Sequence, residues 1–253
     1  MRALSWQVPS SIPPLEANEV HVWHASTERF APLLDSLASL LDASERARGD
    51  AYFAQVDRQR HLVTRGVLRT LVGHYAGKSP NAVRFDVGAF GKPSVSSPDH
   101  ARLRFNVSHS GDIVLLAFAR TGDLGVDVEQ WNDRLGEPER TRIGDYVFSD
   151  EERAAIAQLS SAAERERAFY ALWSRKEAYL KGTGAGISGG LAHVEVSIDD
   201  VARLTVDRRD ASAADRWSLR DIDVGAGYSA ALASSPPEQE VALLVPPLHL
   251  FDA

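Results

Sequence analysis

Seven consecutive apolar residues, Ile113-Val-Leu-Leu-Ala-Phe-Ala119, have one stable place in a folded chain, the middle of a sheet covered on both faces. The surroundings fit that place. Residues 83–87 and 103–107 read as further short strands, and Val20-His-Val-Trp23 alternates as a first strand after an entry broken by Pro9, Pro13 and Pro14. Thr121-Gly-Asp123 is a turn, and residues 124–129 form the next strand.

Helical spacing alternates with these strands. Residues 30–41 carry apolar side chains at helical intervals, and a second stretch covers 43–75, broken near Asp57. That stretch buries Leu62, Val63, Val67, Leu68, Leu71 and Val72 and turns Arg46, Arg48, Arg58, Arg60, Arg65 and Arg69 outward as a solvated face. Residues 130–145, polar and containing Gly136 and Pro138, read as a loop or a loosely held helix. Ser149-Asp-Glu-Glu152 has the capping-box pattern and starts a helix. A longer helix spans 163–181 and stops at Gly182, and residues 192–245 return to strands and turns, including 217–222 and 228–233. Helix and strands thus occur twice, which predicts an α+β chain of two α/β halves, 1–122 and 123–253.

Bulk properties narrow the function. With 44% hydrophobic residues the chain buries a full core, and a net charge of -7 with a pI near 5.6 gives no general attraction to nucleic acid or an anionic membrane. Cysteine is absent, which excludes disulfides, thiolate metal sites and a thiol nucleophile, and fits a reducing cytoplasm. The N-terminus has no signal-peptide pattern and no run reaches membrane-spanning length, so the expectation is a soluble cytoplasmic protein.

Two segments carry most of the chemistry. In Leu124-Gly-Val-Asp-Val-Glu129 the period of two puts Asp127 and Glu129 on one face, about 7 Å apart. Such a pair can hold Mg²⁺ together with substrate phosphates, or can be the solvated acidic face of an ordinary strand. In Trp173-Ser-Arg-Lys-Glu-Ala-Tyr-Leu-Lys181, residues Trp173, Glu177 and Lys181 share one helical face. That spacing offers a carboxylate and a phosphate-gripping ammonium, or a plain intrahelical ion pair with Lys181 favouring the helix C-terminus.

The other motifs are weaker. Gly91-Lys-Pro93 can aim Lys92 at a phosphate or be a simple turn. Ser108 and His109 are adjacent on a strand and so face opposite ways, and no nucleophile elbow is present, which argues against a serine hydrolase. Gly182-Thr-Gly-Ala-Gly186 follows a helix instead of opening one, as a flexible exit does and a phosphate loop does not.

Taken in order, Gly91-Lys-Pro93, Phe105-Asn-Val-Ser-His-Ser110, Gly125-Val-Asp-Val-Glu129, Phe148-Ser-Asp-Glu-Glu152 and the Trp173–Lys181 segment closely resemble the larger, Sfp-like class of 4′-phosphopantetheinyl transferases. The resemblance covers about residues 44–186, with 228–233 as a fainter match. It implies two similar halves in a pseudo-two-fold monomer, with coenzyme A in the cleft between them. The implied activity, of holo-[acyl-carrier-protein] synthase type, moves phosphopantetheine from coenzyme A to a serine of an apo acyl or peptidyl carrier protein and releases adenosine 3′,5′-bisphosphate. By position, Asp127, Glu129 and Glu177 resemble the carboxylates for Mg²⁺ (Mn²⁺ being the alternative ion), and Lys181 the grip on the pyrophosphate. Lys92, Ser108, His109, Arg48, Arg60 and His61 resemble the contacts to the nucleotide end.

The candidate base for the serine is Glu177 or a metal-bound water, with Glu177 preferred, and the resemblance alone implies that the carrier docks at residues 133–153. Neither nucleic acid nor membrane is an implied partner. One further basic position expected before Arg48 aligns with Glu45, although a shift of one residue offers Arg46, and the usual Lys-Glu-Ser reads Lys176-Glu-Ala178. A non-catalytic module that binds coenzyme A or a carrier is the competing reading; retention of Asp127, Glu129, Glu177 and Lys181 argues against it.

Overall fold

A computed structural model describes residues 5–87, 93–96, 103–132, 135–186 and 190–252. They form two compact units, one of residues up to 121 together with 240–253, the other of 122–239. The mixed architecture of two α/β parts is the one the sequence predicts.

Unit one begins with β1 (Glu19–Ser26), followed by α1 (Thr27–Phe30), α2 (Leu34–Leu40), α3 (Ala43–Asp50) and α4 (Gln55–Tyr75). The strands β2 (Phe85–Val87), β3 (Pro93–Val95), β4 (Arg104–Ser110) and β5 (Ile113–Ala119) come next. The apolar run is β5, buried at every position and flanked by β1 and β4 in the order β11-β1-β5-β4, where β11 is Glu240–Leu244. Residues 240–253 therefore correct the expected boundary. Val241 to Leu244 pair in parallel with β1, and Phe251 packs edge-on against Phe30.

The helical stretch breaks at residues 51–54, just before Asp57, which sits in the first turn of α4 where its charge suits the helix N-terminus. The predicted stripe from Leu62 to Val72 is buried. Arg69, expected outside, is fully buried. Its guanidinium donates to Glu45 (2.5 Å), to Asp42 (2.8 Å) and to the carbonyls of Pro80 and Val83, so every face of the charge is answered.

Unit two holds β6 (Asp123–Gln130), α5 (Glu137–Val147), α6 (Asp150–Ala157), α7 (Ala162–Thr183), β7 (Val194–Val196), β8 (Leu204–Asp207), α8 (Ala213–Arg216), β9 (Ser218–Asp221) and β10 (Tyr228–Ser235). Its main sheet runs β6-β10-β9, all antiparallel, with α7 packed across β6 and β10. Residues 137–147 form a regular helix where a loop was one expectation, because Pro138 falls in the first turn, where its missing N–H costs nothing. The Ser149/Glu152 capping box is present.

Gly182 lies inside α7 instead of ending it. A Cβ there would meet the Trp217 ring at 2.7 Å, so this glycine serves packing, and the left-handed cap is Gly184 at φ 71°. Gly125 does the same from the strand side: a Cβ would lie 2.1 Å from the Ala178 carbonyl oxygen. Two facing glycines let β6 and α7 approach backbone to backbone. No described helix is long and apolar enough to cross a membrane.

Candidate active site

Close approach of β6 and α7 brings their polar side chains together. Asp127 is 1% exposed, flanked by the buried Val126 and Val128, so the expectation of a solvated acidic face is overturned. The strand is covered on both sides, and its carboxylate points under the helix. Lys181 Nζ meets Asp127 Oδ1 at 2.5 Å, a contact across elements in place of the intrahelical pair that spacing alone allowed. Glu177, one turn earlier on the same face of α7, is also buried, and Glu129 is half-buried two residues along β6.

This proximity has an electrostatic consequence. The Glu177 pKa is pushed up to about 7, first by burial and then by the Asp127 charge, with Glu129 adding to it and Lys181 opposing. The Asp127, Glu129 and Lys181 charges are thus all felt at Glu177. Carboxylate oxygens are the hard donors that suit a hard divalent cation. Among the described residues no three or more acidic or histidine side chains stand where they could hold a metal ion by themselves. A cation here would take these carboxylates together with ligands from its substrate.

Beyond Glu129 the same strand face continues to Trp131, which stacks on Tyr170 of α7 at 6.3 Å and 13° and donates Nε1 to Ser229 at 3.0 Å. Sequence reading missed this aromatic end. Its signal was the period-two continuation from Asp127 through Glu129 to 131. Gly125 was likewise legible, as a glycine inside a strand marks close backbone approach.

The remaining expected residues lie in unit one. Arg48 is exposed on α3. On α4, Arg60 donates to the Gly111 carbonyl at 3.0 Å and to Asp57, and His61 Nε2 meets the Glu45 carbonyl at 2.8 Å. Burial pulls the His61 pKa down, the Glu45 carbonyl opposes that, and the Arg65 and Arg48 charges reinforce it. Arg48, His61 and Arg65 therefore form one basic neighbourhood.

Ser108 and His109 sit on opposite faces of β4, the serine buried and the histidine exposed, as alternation requires. Lys92 lies outside the described residues. Glu45, at the position where a basic residue was expected, is a structural carboxylate: it completes the α3 capping box with Asp42 and accepts from both Arg65 and Arg69. Arg46, the alternative, is exposed and donates to the Leu41 carbonyl.

Known proteins share this arrangement of segments. The family model for the N-terminal part of 4′-phosphopantetheinyl transferases matches residues 21–121, and that for the 4′-phosphopantetheinyl transferase superfamily matches residues 123–233. The 4′-phosphopantetheinyl transferase HetI of Nostoc is 30% identical over 82% of this chain and 84% of its own. Sfp of Bacillus subtilis, a 4′-phosphopantetheinyl transferase, is 25% identical over 79% of this chain and 84% of its own. A human relative, L-aminoadipate-semialdehyde dehydrogenase-phosphopantetheinyl transferase, is 24% identical over 82% of this chain and 71% of its own.

Proposed function

Because the chain belongs to the 4′-phosphopantetheinyl transferases, we propose that the β6–α7 carboxylates and Lys181 are where it moves phosphopantetheine from coenzyme A to a carrier protein. The serine hydroxyl oxygen of an apo acyl or peptidyl carrier attacks the β-phosphorus of the coenzyme A diphosphate. The phosphoanhydride bond to the nucleotide breaks, and adenosine 3′,5′-bisphosphate leaves. The work is of holo-[acyl-carrier-protein] synthase type, done by a monomer in the cytoplasm.

The observation that supports this most is the convergence of Asp127, Glu177 and Lys181, with the single ammonium 2.5 Å from the buried Asp127 carboxylate. Asp127, Glu129 and Glu177 would hold Mg²⁺, which supplies charge neutralisation on the diphosphate for displacement at phosphorus. Lys181 lies at the exposed end of this group, 23% exposed, and grips a diphosphate oxygen as a point charge. Glu177 takes the proton from the serine hydroxyl. At the nucleotide end, the resemblance assigns the phosphate and adenine contacts of coenzyme A to Arg48, Arg60, His61, Lys92, Ser108 and His109. Chemistry of this kind depends on positioning and electrostatics more than on covalent participation by the protein.

Incubating the protein with coenzyme A, Mg²⁺ and a panel of apo carrier domains, then weighing the carriers, tests the reading. The expected result is a mass gain of one phosphopantetheine group, lost on chelation of the metal. Binding of coenzyme A or carrier without any mass gain across the panel would convert the protein into a non-catalytic binding module.

A further inference from the structure

One residue before Glu177, and so about 100° around the helix from it, Lys176 points away from the carboxylates into the body of unit two. It is fully buried. Its Nζ meets Glu152 Oε2 at 2.5 Å, the Val147 carbonyl at 2.8 Å and the Leu191 carbonyl at 3.1 Å. Three acceptors answer three ammonium hydrogens, so the group is saturated. Glu152 is equally committed. Its Oε2 also accepts from Ser149 N at 2.8 Å, closing the capping box of α6, and its Oε1 accepts from Val196 N of β7 at 2.9 Å. One ion pair thus joins the last carbonyl of α5, the first turn of α6, α7 and the last residue of β7.

Stability alone does not call for this design. A buried ion pair is commonly no better than well-packed apolar residues of the same volume, whereas its directional bonds allow a single geometry. The geometry at stake is the rotation of α7 about its axis. With side chains reaching about 5–6 Å from that axis, a turn of 20° carries a carboxylate about 2 Å.

We infer that Lys176, with Glu152, is a positioning residue that sets the rotation of α7 and thereby places Glu177 and Lys181 for the transfer. The inference rests on the functional reading above, and concerns how that site is held. Neither Lys176 nor Glu152 touches the reacting atoms; both act through the helix.

Three variants separate positioning from stability. Lys176→Met leaves Glu152 charged and buried without its ammonium, and lowers both the melting temperature and kcat. Lys176→Met with Glu152→Gln removes that stranded charge, so the melting temperature recovers. In the double variant kcat stays about a hundredfold below wild type, the scale of an ångström-level misplacement, while KM for coenzyme A stays near the wild-type value. Recovery of kcat together with stability would show a merely structural pair and overturn the inference.

If Lys176→Met does not fold, Glu152→Gln alone carries the same criterion, since it keeps an oxygen for Val196 N–H: reduced kcat in a folded protein supports positioning, wild-type kcat overturns it. Wild-type protein assayed alongside shows whether transfer itself occurs. Loss of the positioning claim is thereby distinct from loss of the transferase reading.

Discussion

The two long helices, α4 and α7, are nearly equal in length, each packs on an antiparallel sheet pairing, and each buries charge, yet they use that charge differently. On α4 the buried Arg69 and its neighbour Arg65 converge on one carboxylate, Glu45, with Asp42 at the edge, so cations match anions. On α7 the pairs Lys176–Glu152 and Arg175–Asp221 are matched in the same way, but at Glu177 burial and the Asp127 and Glu129 charges outweigh the pull of Lys181. Compensated charge builds a fold. A carboxylate pushed up to about 7 by burial and by neighbouring carboxylates marks a candidate place for proton transfer.

Breaking the α7 side has the largest expected effect. Asp127→Ala removes one of the proposed metal carboxylates, and transfer should fall by about a thousandfold, the scale of several kcal/mol of transition-state stabilisation. The carrier mass assay reads this, and circular dichroism should show an intact fold. A variant that transfers at the wild-type rate would remove Asp127 from the site.

Breaking the α4 side should cost stability and leave chemistry alone. Arg69→Met strips one guanidinium from the buried Glu45 and should destabilise unit one by about 3 kcal/mol in urea unfolding. The folded variant should turn over near the wild-type rate. A large loss of kcat with unchanged stability would mean that the contrast between the helices has been drawn wrongly.

The smallest effect is on pH. In unit one, burial holds His21, His24 and His61 below the ordinary histidine value of 6.5. At His21 the Glu19 carboxylate, 3.3 Å from Nε2, opposes burial, while Tyr75, accepting from Trp23 Nε1 at 2.9 Å, meets Nδ1 at 2.8 Å. Because the unfolded chain binds these protons more readily, their contribution is complete above pH 6.5 and is lost as pH falls from 6.5 toward the lowered native values. Protection factors of β1 and α4 amides, taken relative to the base-catalysed intrinsic rate, should fall over that window. Protection that is flat through it would contradict neutral, buried rings.

Sequence patterning by itself determined much of this protein. The apolar run of β5, the stripe of α4, the capping box at Ser149 and the shared faces of Asp127 with Glu129 and of Glu177 with Lys181 all follow from local periodicity, which the backbone enforces wherever a segment ends up. Resemblance at the same motifs carried the family.

What periodicity does not contain is the identity of the partner. Arg69 and Arg58 look alike on a helical wheel; only the packing of α3 against α4 buries one and leaves the other exposed. Residues 240–253 follow unit two along the chain, and pairing with β1 is what places them in unit one. Asp127 reads as a solvated face until Gly125 and Gly182 are seen to bring α7 down on the strand. Lys176 and Glu152 are 24 residues apart and became one device only in the fold. Local spacing sets which side chains share a face, because that depends on the backbone of one segment. Tertiary structure alone decides what each face meets, because burial and charge pairing depend on a second segment that the spacing of the first does not specify.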